Sequence, residues 1–173
     1  MNYAKVKKTD VANGPGIRVS LFVSGCSHHC EGCFNPEAWD FRYGQLYTAD
    51  TEQEILEALK PDYIRGLSLL GGEPWELPNR LEILELVKRV RETYPEKDIW
   101  CYTGYDYEKD LLRWIDEGHA EVEELLKRID VLVDGEFEEK QKNLRLPFRG
   151  SENQRLIDVP ASLRGKRVIL KEM

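Results

Sequence analysis

Long apolar runs are absent from this chain. Across 173 residues no stretch approaches the roughly 20 consecutive apolar residues that would span a bilayer. The polar opening segment, Met1 to Asp10 with Lys5, Lys7 and Lys8, is not followed by an apolar core of signal-peptide length, so no export is expected. A cationic surplus is missing as well: 25 Lys and Arg stand against 32 Asp and Glu, for a formal net charge of -7. That balance argues against a polyanion-binding face and removes nucleic acid from the expected partners. No internal repeat or low-complexity tract is found. With only four cysteines the expectation is a cytoplasmic protein, with no membrane partner, whose reduced thiols are ligands or incidental residues and not disulfides.

The hydrophobic fraction of 41% with 10% aromatics suffices for one core, hence one domain over residues 1–173. Arg18 to Ser24, rich in β-branched and aromatic residues, reads as a buried strand. Thr51 to Lys60 reads as a helix with Thr51 as N-cap, Glu54 at capping-box spacing, Ile55, Leu56 and Leu59 inward, and Pro61 at its end. Ile64 to Leu70 is a second strand. Asn79 to Tyr94 is an amphipathic helix with Leu81, Leu84, Val87 and Val90 inward. Asp98 to Thr103 and Ile129 to Val133 give two more strands, separated by helical sequence from Tyr107 to Lys127 that breaks near Gly118. Glu136 to Arg155 is polar and irregular, and Arg167 to Leu170 reads as a last short strand. Strands alternating with helices imply an α/β fold with parallel strands. A full eight-stranded barrel needs about 250 residues, so the expected architecture is a partial, incomplete β/α barrel.

Four unusual segments fall just past the C-terminal ends of predicted strands: the cysteine loop after Ser24, Gly71-Gly72-Glu73-Pro74, Thr103-Gly104-Tyr105 and Asp134-Gly135. In parallel α/β architectures ligands bind at that edge, so these segments are expected to build one composite site. The loop Gly25-Cys26-Ser27-His28-His29-Cys30-Glu31-Gly32-Cys33 carries three closely spaced thiols. A structural zinc site wants four protein ligands. Three thiolates on a [4Fe–4S] cluster leave one iron open to a small molecule. The competing reading is a zinc-binding interaction module with His28, His29 or Cys101 as fourth ligand, and for Cys101 the plainer reading is a small buried thiol in a strand.

Cys26, Cys30 and Cys33 reproduce the C-x-x-x-C-x-x-C motif, and the chain thereby resembles the radical S-adenosylmethionine superfamily. The resemblance implies that the three cysteines hold a [4Fe–4S] cluster, and that its fourth iron is chelated by S-adenosylmethionine, which is cleaved to methionine and a 5′-deoxyadenosyl radical. Gly71-Gly72-Glu73-Pro74 resembles the superfamily element that holds the methionyl amino group. Gly32 stands where many members carry an aromatic residue and Phe34 follows Cys33, so adenine contacts are expected from Gly32, Cys33 and Phe34. No catalytic side chain beyond the cluster ligands is implied.

Asn13-Gly14-Pro15-Gly16-Ile17-Arg18 is similar to the entry segment of enzymes that activate glycyl radical proteins, where Arg18 is a candidate for contacts to anionic groups. Cys33 to Trp39, Tyr102-Thr103-Gly104-Tyr105, Asp134 to Phe137 and Arg149-Gly150-Ser151-Glu152-Asn153-Gln154-Arg155 narrow the resemblance to the activating proteins of anaerobic ribonucleoside-triphosphate reductases, with Arg149 to Arg155 as a candidate for cofactor or partner contacts. That family implies an oxidoreductase that generates a glycyl radical on the large, glycine-bearing reductase and draws its electron from reduced flavodoxin or ferredoxin. Within the same superfamily, an activase of a different glycyl radical enzyme or a deazapurine synthase is the alternative.

Overall fold

The computed structural model describes all 173 residues. Seven strands form one mixed sheet: β1 (Asn2–Asp10), β2 (Ile17–Val23), β3 (Gln45–Leu46), β4 (Ile64–Gly71), β5 (Asp98–Tyr102), β6 (Val131–Asp134) and β7 (Arg155–Asp158). Their order is β3-β1-β2-β4-β5-β6-β7. The four central strands β2, β4, β5 and β6 are parallel, whereas β1, β3 and β7 flank them antiparallel. The expected parallel arrangement therefore holds for the centre and not for the flanks. Since β3 and β7 each end the order unpaired with one another, the sheet is open and not a closed barrel.

Helix α1 (Ala49–Leu59) connects β3 to β4 and α2 (Leu77–Thr93) connects β4 to β5. A π-helical turn (Tyr107–Leu112), α3 (Arg113–Asp116) and α4 (Ala120–Leu126) connect β5 to β6, and α5 (Val159–Gly165) follows β7. Period-two alternation along the central strands sorts the side chains onto two faces. Val19, Leu21, Leu67, Leu69, Ile99, Cys101 and Leu132 join the helices in the main core. Trp100, Val131, Val133 and Leu156 form a small cluster on the opposite face, with Tyr102 and Phe148 against it. The buried apolar side chains of the α-helices all belong to the main core and none joins this second cluster.

Several boundaries differ from the sequence expectation for local reasons. The cap of α1 is Thr48, not Thr51: Thr48 accepts from the Thr51 N–H and the Thr51 side chain accepts from the Thr48 N–H, a reciprocal capping box one turn earlier. Leu81 is 61% exposed, because the buried stripe of α2 centres on Ile83, Val87 and Val90 and Leu81 lies on the far side of the helix. Asn79 does not start α2 but sits buried in its first turn. Strand β1 is unexpected; its register shifts between Tyr3 and Lys5, and such a bulge breaks the alternation by which a strand is recognised. At the C-terminal end no strand forms over Arg167 to Leu170, where only Leu170 bridges to Ile157, and the flanking strand is β7.

No helix is long and apolar enough to cross a membrane.

Candidate functional site

Buried β2 leaves the sheet at Val23, and positive φ at Gly25 (+103°) turns the chain into the cysteine loop. A Cβ on Gly25 would stand 2.2 Å from the ring of Phe41, so the turn has no room for a side chain. The loop is then tied down from below. Gly25 N donates to Ala38 O at 2.7 Å and Glu73 N donates to Gly25 O at 2.8 Å. Cys33 N donates to Cys30 O at 3.1 Å, closing a turn whose third residue, Gly32, has φ +76°, the conformation that type II turns reserve for glycine. Cys30 and Cys33 are thereby fixed relative to one another by main-chain geometry.

Cys26, Cys30 and Cys33 are half-buried free thiols that line a single cavity of ≈ 550 Å³. Gly71, Gly72 and Glu73 line it too, as do Phe34, Gly104 and Gly135. All four strand-end segments singled out in the sequence thus meet at one place. Of the residues expected to hold the cluster or the cofactor, only Gly32 stands off the cavity; a Cβ there would meet the Glu139 carboxylate. Gly72 has no room for a Cβ, which would lie 2.7 Å from Gly25 O and 2.9 Å from Ala38 O. The second glycine therefore lets the β4 turn pack directly on the main chain of the cysteine loop.

Glu73 is 1% exposed and its carboxylate is fully engaged. Oε1 accepts from Gly104 N at 2.7 Å and Thr103 Oγ1 at 2.9 Å, and faces His28 Nε2 at 2.9 Å. Oε2 accepts from Trp75 N at 3.0 Å and Thr103 Oγ1 at 2.9 Å. His28 Nδ1 faces Glu136 Oε1 at 2.9 Å. Burial lowers the pKa of His28, but the hydrogen bonds and charges of Glu73 and Glu136 outweigh it and raise it to about 9. Glu76 completes the support, accepting from the backbone N–H and hydroxyl of Ser27 and from Tyr105 OH, while Asn79 donates to Ser24 O and Glu73 O at 3.0 Å each. Glu76 and Asn79 carried no motif, and only their tertiary contacts identify them, whereas Glu136 belongs to the Asp134 to Phe137 segment singled out in the sequence.

Two sequence candidates have other roles. Arg18 is fully buried, donates to Ser68 Oγ, Pro15 O and Leu67 O and pairs with Asp98 at 2.6 Å. Its guanidinium holds the Asn13 to Gly16 turn and offers nothing to an anionic ligand. Asp134 pairs with Arg155 at 2.7 Å and accepts from Tyr107 N at 2.9 Å, so it anchors the strand end. From the Arg149 to Arg155 loop, Arg149, Gly150 and Gln154 line the cavity. Phe34 lies 58% exposed at the mouth, its ring 5.1 Å from that of Phe137.

The donor set suits a multi-iron cluster better than zinc. Burial, followed by the charge of Glu73, pushes the Cys26 thiol up to about 12, and burial with the charge of Glu136 raises Cys30. Both stay protonated near neutrality until a cationic centre stabilises the thiolates. Three thiolates leave a fourth coordination position for which this chain would have to supply a ligand if the metal were structural zinc. The possible fourth zinc ligands are committed elsewhere: His28 to two carboxylates, His29 stacked on Trp39 at 4.4 Å, and Cys101 at 0% exposure inside the helix-side core.

Comparison with known proteins agrees with this geometry. The family model described as "4Fe-4S single cluster domain" matches residues 12–157. A protein of Enterobacteria phage T4 named anaerobic ribonucleoside-triphosphate reductase-activating protein is 46% identical over 156 residues, 90% of this chain and 93% of its own length. Proteins of the same name from Vibrio cholerae and Escherichia coli K12 are 46% and 42% identical, each over 89% of this chain and 96% of their own length.

Proposed function

Because the chain belongs to the family of anaerobic ribonucleoside-triphosphate reductase-activating proteins, we propose that it generates a glycyl radical on such a reductase, using a [4Fe–4S] cluster on Cys26, Cys30 and Cys33 together with S-adenosylmethionine. The observation that carries the reading is the meeting of three half-buried thiols with Gly71-Gly72-Glu73 in one cavity at the C-terminal edge of the parallel strands. Held by Cys26, Cys30 and Cys33 and by the Gly71 to Glu73 turn, the two groups would supply one-electron reductive cleavage of the sulfonium and, through it, removal of hydrogen from a glycine of the partner.

The residues of this chain bind, orient and shield. Gly71 and Gly72 line the cavity, where their main chain would meet the methionyl amino group, and Glu73 supplies the negative charge beneath it. With its carboxylate already held by Thr103, Gly104 and Trp75, Glu73 acts from a fixed position and needs no reorganisation on binding. Cys33 and Phe34 border the adenine end of the cavity, with Gly32 setting the turn that presents them. The cavity lies at the sheet edge away from the α-helical core, where a protein loop carrying the target glycine would enter. This reading takes the four parallel strands as part of an incomplete β/α barrel in a single domain over residues 1–173, a cytoplasmic setting, and reduced flavodoxin or ferredoxin as electron source.

The test is anaerobic reconstitution with iron and sulfide, reduction, and assay of 5′-deoxyadenosine from S-adenosylmethionine, followed by electron paramagnetic resonance of the reductase. Nucleoside production and a glycyl signal, both lost in Cys30→Ala, are expected. An intact cluster with bound S-adenosylmethionine and neither product would overturn the reading.

A further inference from the structure

Six arginines in this protein are buried or half-buried, and five of them face a carboxylate. Arg18 pairs with Asp98, Arg80 with Glu121, Arg91 with Asp130, Arg128 with Glu124 and Arg155 with Asp134. Arg149 is the exception. It lines the cavity beside the three cysteines, no carboxylate lies within ion-pair distance of it, and its Nε is buried without a hydrogen-bond partner. Apart from His28, the other charged side chain lining the cavity is Glu73, whose oxygens are already committed.

The chain on either side of Arg149 is held in place. Phe148 takes φ +58°, a costly conformation for a bulky residue. Its carbonyl accepts from Tyr102 OH at 2.8 Å and its ring meets Trp100 edge-on at 5.4 Å. On the other side, Gly150 N and Ser151 N both donate to Gln154 Oε1, at 2.9 and 3.1 Å. A strained, clamped backbone thus presents a half-buried guanidinium whose Nε has no partner in the chain. Buried polar groups in folded proteins are mostly paired, and at a cavity wall an unpaired donor is one that a ligand group can satisfy.

We propose that Arg149 is the carboxylate-binding residue of this cavity. A guanidinium offers a planar fork of N–H donors that matches a carboxylate in two parallel hydrogen bonds. The inference rests on reading the cavity as the S-adenosylmethionine site. One source of the carboxylate is the α-carboxylate of the methionyl moiety, and the other is an acidic side chain of the partner inserted through the open mouth.

The experiment uses anaerobically reconstituted protein, wild type, Arg149→Gln and Arg149→Lys, with iron and sulfide content read in each. Equilibrium binding is measured for S-adenosylmethionine, for decarboxylated S-adenosylmethionine and for the reductase. If the cofactor supplies the carboxylate, Arg149→Gln weakens S-adenosylmethionine about 10-fold or more, leaves the decarboxylated analogue unchanged, and Arg149→Lys restores part of the loss. If the partner supplies it, both sulfonium compounds bind all three proteins alike while reductase affinity falls by a similar factor. Unchanged binding of S-adenosylmethionine and reductase alike in Arg149→Gln would overturn the proposal. A wild-type protein with an intact cluster that binds no S-adenosylmethionine would instead defeat the reading of the cavity, and the reductase measurement would then decide on Arg149 alone.

Discussion

His28 Nε2 lies 2.9 Å from Glu73 Oε1, and through its other nitrogen the same ring reaches Glu136. One side chain from the middle of the cysteine loop therefore ties that loop to the turns after β4 and β6. Glu73 is the hub of this arrangement, since the backbone N–H groups of Gly104 and Trp75 can only donate to it and the Thr103 hydroxyl donates to it while accepting from Tyr105 N.

Replacing Glu73 with glutamine turns one acceptor into an NH2 group that faces those donors. The expected cost is about 1–3 kcal/mol in urea unfolding of the cluster-free protein, with a reduced yield of iron and sulfide on reconstitution because the loop loses its anchor. Wild-type stability and wild-type cluster content in Glu73→Gln would show that the network does not hold the loop.

Gly72→Ala tests the packing of two main chains. Its Cβ would meet Gly25 O at 2.7 Å and Ala38 O at 2.9 Å, and neither atom is the end of a flexible side chain. The cysteine loop must shift outward, so we expect folded protein by circular dichroism whose reconstituted cluster content is reduced and whose S-adenosylmethionine affinity falls by about tenfold or more. Retention of both in Gly72→Ala would mean that loop and turn are not rigidly coupled.

The four cysteines should separate into two classes on substitution. Cys101 sits in β5 with its side chain in the helix-side core, so Cys101→Ala is expected to lose about 1 kcal/mol of stability and no iron. Cys30→Ala, at a half-buried position on the cavity, should leave stability of the cluster-free protein nearly unchanged and abolish stable cluster assembly. Iron and sulfide assays of the two variants, measured side by side, check both halves.

Asp10 gives a prediction in pH. Burial raises its pKa, but hydrogen bonds from Ser20, Ala12 N and Asn13, with Lys7 nearby, outweigh it and hold it below the ordinary 3.8. A carboxylate depressed in the folded state contributes stability above its unfolded pKa and loses it as pH falls through the folded value. Asp10→Asn should therefore be destabilised at pH 7 by about 1 kcal/mol, and the gap to wild type should shrink as the pH is taken from about 4 downward. Parallel urea melts at the two ends of that range give the answer, and a gap independent of pH would assign the effect to shape instead of charge.

Local chemistry made part of this protein legible in its sequence. The apolar strands β2 and β4, the thiol spacing of the loop and the glycines after β4 each depend on neighbours close along the chain, so their sequence carries them. The resemblance of ordered motifs gave the family, and the parallel order of the central strands followed from their alternation with helices. The partners of each motif residue were decided in three dimensions. Arg18 reads as an anion contact until Asp98, fully 80 residues later, is seen to pair with it. Arg149 reads only as one member of a candidate contact loop, Arg149 to Arg155, until the cavity leaves it without a counter-charge. The broken alternation of β1 and the far-side position of Leu81 have the same origin: burial is a property of the assembled layers, and one segment does not contain the surface it will meet. Sequence alone determined which groups could do chemistry, and the tertiary structure decided which of them face one another, because charge pairing and desolvation depend on distance in space and not on separation along the chain.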